Sequence, residues 1–286
     1  MRLFTALALF ALLAGCAANP ISGRNQLLLV SEESAIADSI QAYQGMVGKL
    51  EKDGKISHDA QLNARIQRIT DRLIDQAVLY RPETRDWAWS VKVIDDPKTV
   101  NAWCMPGGKM AIYTGLIEKI KPSDDELAQV MGHEISHALL KHGAEKMSMQ
   151  MAAGVAAIAI GVAGGSSKDS GRRQTGAELA LLGLVLLPNS RGAESEADRI
   201  GLELAARAGF HPHAAVTLWE KMAQANGDKT RFDWLSTHPS SPKRLEELAT
   251  HEFDARAFYD VAPKHQEPSR AWTSTSPNER LVSPAR

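Results

Sequence analysis

The chain has 286 residues, 44% of them hydrophobic, which suffices for one sizeable core or two small ones. Thirty-three lysines and arginines stand against 34 aspartates and glutamates, for a formal net charge of −1. No basic run is long enough to follow a phosphate backbone, so no nucleic-acid partner is expected.

Residues 1–15 carry one charge, Arg2, then an apolar run from Leu3 to Leu13 and small residues, the layout of a secretory signal. That run is shorter than the roughly 20 residues a spanning helix needs. Leu13-Ala14-Gly15-Cys16 resembles the lipobox of bacterial lipoproteins, which implies a lipid on Cys16 and membrane attachment through it. Ala17 after that cysteine implies the periplasmic face of the cell outer membrane. With Cys16 acylated, Cys104 has no disulfide partner and reads as a small buried hydrophobe. Residues 16–30 then read as a tether.

Ser31-Glu32-Glu33 opens a helix reaching about Leu50, with a hydroxyl cap and an acidic first turn. Asp53-Gly54 ends it. A second helix carries Leu62, Ile66, Ile69, Leu73 and Ala77 on one face. From Trp87 to Ile94 the period changes to two, which predicts a strand. In NAWCMPGGKMAIYTGL, Pro106-Gly107-Gly108 turns between two short strands, the second from Lys109 to Tyr113, so a small antiparallel sheet is expected.

Ser123-Asp124-Asp125-Glu126 has the pattern of a capping box and launches a helix through His142. Two apolar runs, Ala152 to Gly165 and Ala177 to Leu187, flank the polar SSKDSGRRQTG; a packed hairpin and one that touches a membrane both fit. Further helices are expected over Ser190 to Ala208, His211 to Gln224 and Ser240 to His251. The fold class is therefore α+β and mostly helical, with one domain over 31–258 and a polar, disordered tail over 259–286.

The chemistry is concentrated in His133-Glu134-Ile135-Ser136-His137. Residues i and i+4 share a helix face, so both imidazoles reach one metal ion while Glu134 leans over the water beside it. One zinc per chain is expected, with Glu134 as general base. A catalytic zinc needs a third protein ligand. His142 lies one residue short of the spacing that a third histidine on this stretch requires, and reads as a cap at the helix end.

A carboxylate from another helix is the alternative, and GAESEADRIG offers three. Glu194 and Asp198 share a face, whereas Glu196 is rotated by about 200° from Glu194 at 3.6 residues per turn. Ala193, Ala197, Gly201 and Leu204 accompany the Glu194 side toward the core. Glu194 is the expected ligand, Asp198 the acceptor for a ligand histidine's outer N–H, and Glu196 a surface residue.

Together HEISH, SRGAESEADRIG and the NAWCMPGGKMAIYTGL hairpin resemble the HtpX-like and CAAX-prenyl-protease-like zinc metallopeptidases, in particular their periplasmic LoiP- and BepA-like lipoprotein branch. NPISGRNQLLLVSEE adds to the likeness. The resemblance implies a zincin-like metallopeptidase domain with the HExxH helix at its active site. It implies zinc ligands at His133, His137 and Glu194, and an acid at Asp198. It also implies a substrate-pairing edge strand formed by Lys109, Met110, Ala111, Ile112 and Tyr113. His238 is then a candidate fourth ligand that holds the enzyme latent, and Arg244 a support for that segment or for the transition-state oxyanion.

BepA-like members continue into a tetratricopeptide domain, whereas the segment after Pro239 reads here as one short helix and a tail. The implied activity is an endopeptidase acting on misfolded or unassembled envelope proteins. A lipoprotein adaptor or chaperone with a structural zinc is the competing reading.

Overall fold

The structure, a computed structural model, describes residues 16–163, 185, 187–226, 233–239, 242–264 and 266–273. Residues 1–15, where a signal is expected, most of the second apolar run and the last thirteen positions, 274–286, lie outside the described residues.

Strands β1 (Cys16–Ala18) and β2 (Asn25–Leu27) form an antiparallel hairpin. It is part of the body, not the expected tether. Buried Asn19 and Gln26 both donate to the carbonyl of Leu140, each at 2.8 Å, where the helix carrying His133 and His137 ends. The last carbonyls of a helix have no partner of their own, and this hairpin supplies two donors to one of them.

Helix α1 (Glu32–Lys52) begins at Ser31, whose hydroxyl accepts from the Ser34 N–H. Helix α2 (Ala60–Tyr80) is capped by Asp59 and buries Ile66, Ile69, Leu73 and Ala77, the face its spacing predicts. Strands β3 (Ser90–Ile94), β4 (Ala102–Met105) and β5 (Lys109–Tyr113) follow. Gly107 and Gly108 make the β4–β5 turn with φ of 79° and 76°, and a Cβ on Gly108 would lie 2.2 Å from the Trp89 ring.

The sheet order is β3-β5-β4, with β4 antiparallel and β3 parallel to β5. The sheet is thus mixed, and Lys109 to Tyr113 is its interior strand, not an edge. Its backbone is committed on both sides. The edge that faces the helix carrying His133 and His137 is β4.

Helix α3 (Thr114–Ile120) leads to α4 (Asp124–Leu139), which starts with a complete capping box between Ser123 and Glu126. Every residue of α4 from Glu126 on is buried. Helix α5 (His142–Ala163) carries the first part of the apolar run; no helix among the described residues is long and apolar enough to cross a membrane. Helices α6 (Arg191–Arg207), α7 (Ala214–Asn226), α8 (Asp233–Thr237) and α9 (Pro242–Val261) complete the body.

Helix α9 runs to Val261 rather than stopping at His251. Beyond it Trp272 packs on the main core, and the Thr273 N–H and hydroxyl donate to buried Asp71 at 2.9 and 2.7 Å. Residues 266–273 are therefore a strap across α2, not a disordered tail.

Candidate metal centre

Two glycines bring the site together. Gly132 on α4 and Gly201 on α6 meet backbone to backbone: a Cβ on Gly132 would lie 2.8 Å from the Gly201 carbonyl oxygen, and one on Gly201 would lie 2.7 Å from the His133 nitrogen. The crossing presses the Glu194–Asp198 face of α6 against the His133–His137 face of α4.

His133 Nε2 and His137 Nε2 are 3.1 Å apart. Glu194 Oε2 lies 3.5 Å from the first and Glu194 Oε1 3.3 Å from the second. His238, directly after α8, places Nδ1 3.2 Å from His133 Nε2 and 3.0 Å from Glu194 Oε1. Ligand atoms around a tetrahedral zinc with bonds of about 2.0–2.1 Å lie about 3.3–3.4 Å apart; the five separations here, 3.0–3.5 Å, are of that size, and one ligand atom from each of the four residues lies within 4.8 Å of the others. The four side chains form a buried set able to hold one metal ion.

The rest of the donor chemistry agrees. Asp198 Oδ1 accepts from His133 Nδ1 at 3.0 Å, which leaves Nε2 free for a cation. Arg244 grips both Asp198 oxygens, reaches Glu194 Oε2 at 2.7 Å and donates to the Pro239 carbonyl at 3.1 Å. It therefore fastens the His238 segment and the two acids; it is not free to face a developing oxyanion. Asn189 Nδ2 donates to Glu194 Oε1 at 2.8 Å, and the Trp234 ring stacks on His238 at 4.2 Å.

Glu134 is 2% exposed, and its Oε1 has no hydrogen-bond partner among the described residues, although His238 Nε2 lies 3.3 Å away. The Cys104 backbone on β4 is close enough to the Glu134 carboxylate to lower its pKa slightly. Cys104 itself is half-buried and lines the same small cavity, about 40 Å³, with Trp103, Val185 and Thr237.

Burial pushes the Glu134 carboxyl up, opposed by the nearby His238 and His133 rings. Burial also lowers His133, but hydrogen bonds to Asp198 and Glu194 outweigh it and lift the ring to about 9. For Glu194 the contest goes the other way: burial raises it, and the surrounding histidines bring it well below the usual carboxylate range.

Glu196 corrects the surface reading. Its side chain is 13% exposed; Oε2 lies 2.9 Å from His142 Nε2 and accepts from Arg24 Nε at 2.9 Å. Burial raises its carboxyl, yet bonds from His142, Ser22 and Arg24 bring it down to about 2. His142 does not cap α4. It opens α5 and sets its Nδ1 2.8 Å from His137 Nδ1. The histidine was visible in the sequence, but the distant Arg24 that fixes its acid partner was not.

The sequence profile of peptidase family M48 matches residues 60–252, about two thirds of the chain and all of the residues that converge here except Ser22 and Arg24. The chain belongs to peptidase family M48. Among M48 relatives, the mitochondrial metalloendopeptidase OMA1 of Saccharomyces cerevisiae is 28% identical over 84% of this chain and 70% of its own length. The mitochondrial metalloendopeptidase OMA1 of Bos taurus is 32% identical over 80% of this chain and 45% of its own. The metalloprotease YcaL of Escherichia coli is 32% identical over 52% of this chain and 57% of its own. The chain spans about half the length of most of the curated relatives it matches.

Two expectations change with these matches. The lipoprotein branch is not singled out, because the matches that run along most of the chain are to OMA1 proteins. The expected outer-membrane location is overturned by the same relatives, whose names place them in mitochondria.

Proposed function

We propose that this M48 chain is a zinc endopeptidase that cleaves extended segments of unfolded or unassembled proteins, with His238 holding it latent. The observation that carries this reading is the buried set of His133, His137, Glu194 and His238, with Glu134 Oε1 beside it making no hydrogen bond among the described residues. Zinc, when bound, lowers the pKa of a coordinated water toward 7 and polarises the scissile carbonyl.

His133, His137 and Glu194 hold the ion, and Asp198, braced by Arg244, keeps the His133 proton on Nδ1. Glu134 Oε1 takes a proton from the attacking water and hands it to the departing amine nitrogen. The β4 edge, which runs beside Glu134, offers a backbone track next to the reacting atoms, so a substrate segment must be extended to pair with it. His238 sits where substrate and water must enter, and its withdrawal opens the site. Cys16, at the start of β1, is the proposed lipid-bearing residue; mass spectrometry of the mature N-terminus should find it acylated, and an unmodified N-terminus would remove the anchor.

The zinc adaptor reading gains from the same geometry, since four protein ligands close a site as structural zinc does. His238→Ala separates the two. A latent peptidase gains casein cleavage, while a structural site gains none and loses zinc affinity.

A further inference from the structure

His133 and His137 each end on a carboxylate–arginine pair, but by different routes. His133 reaches Asp198 and Arg244 directly. His137 reaches its pair through a second imidazole: Nδ1 to His142 Nδ1 at 2.8 Å, His142 Nε2 to Glu196 Oε2 at 2.9 Å, and Glu196 Oε2 to Arg24 Nε at 2.9 Å. Arg24 is itself held by Glu145 through two bonds of 2.7 and 2.6 Å.

Only one set of protons satisfies this chain. A metal on His137 Nε2 leaves that ring's proton on Nδ1, which donates to His142 Nδ1. The His142 proton then lies on Nε2 and donates to Glu196, whose charge Arg24 balances. Every link is buried or half-buried, and Arg24 belongs to the β1–β2 hairpin, outside the span matched to the family.

We propose that His142, Glu196 and Arg24 are a positioning relay for His137, through which the N-terminal hairpin sets the zinc affinity of the site. The relay rests on the reading of His137 as a zinc ligand, but not on proteolysis. Groups that orient a ligand histidine typically change metal affinity 10–100-fold.

The test is zinc affinity by chelator competition on the full chain, with melting of the zinc-free protein measured in parallel. His142→Ala and Glu196→Ala should each weaken zinc about 10–100-fold while one zinc still binds at saturation. Glu196→Gln, which keeps an acceptor for His142, should lose less, and Arg24→Ala should lie between Glu196→Gln and wild type or close to the former. Zinc-induced stabilisation should shrink in step. Wild-type affinity in these variants, or a loss that merely tracks a lower melting point of the zinc-free protein, would overturn the relay. If His142→Ala and Glu196→Ala do not fold, Glu196→Gln and Arg24→Ala decide it. Failure of wild type to bind zinc would remove the proposed function as well; zinc binding without cleavage would remove that function alone.

Discussion

Glu194 and Glu196 stand two residues apart on one helix and serve the site in opposite ways. Glu194 touches the metal set directly; Glu196 acts through His142. Glu194→Ala should therefore abolish stoichiometric zinc, whereas Glu196→Ala should keep the stoichiometry and lose affinity, both read by metal analysis at saturating and limiting zinc. Equal behaviour of the two variants would contradict the division. The 200° rotation between them was enough to separate them in the sequence. The same rotation suggested solvent for Glu196, because helical periodicity says which way a side chain points and not what meets it there. Arg24 meets it, from 172 positions away.

At the scale of elements, the site exists because α4 and α6 touch through glycine. Gly201→Ala places a methyl group 2.7 Å from the His133 nitrogen, a backbone atom that cannot turn aside. The helices must separate, at a cost of about 1–3 kcal/mol for overpacking. Melting should fall accordingly and zinc affinity with it; an unchanged affinity would mean that the crossing does not set the distance between Glu194 and the histidines. The capping box, the buried stripe and the α2 face were all legible, since each depends on neighbours within four residues. The central place of β5 was not. It depends on β3 joining the hairpin from the far side in parallel, and neither strand's composition records its partner.

At the scale of the whole molecule, both ends of the described chain are fastened to the body. The C-terminal strap hangs on Asp71, where burial, partly offset by bonds from Thr273 and Trp272, lifts the carboxyl to about 6. A folded value above the unfolded 3.9 or so means that stability from this group is full below about pH 4 and is lost as pH rises through 6. Asp71→Asn, which keeps the acceptor without the charge, should thus raise the melting temperature at about pH 8 and give no gain at about pH 4. A gain independent of pH would contradict this. Composition alone hid the strap: Pro, Ser and charged residues read as disorder until Trp272 and Thr273 find their partners on α2.

The central claim, a latent zinc peptidase worked by Glu134, is tested most directly by casein cleavage with zinc-loaded His238→Ala, alone and combined with Glu134→Gln. Both proteins should hold one zinc; the single variant should cleave faster than wild type, and the double variant should be inactive. Cleavage that survives in the double variant, or none above wild type in the single one, would contradict the account.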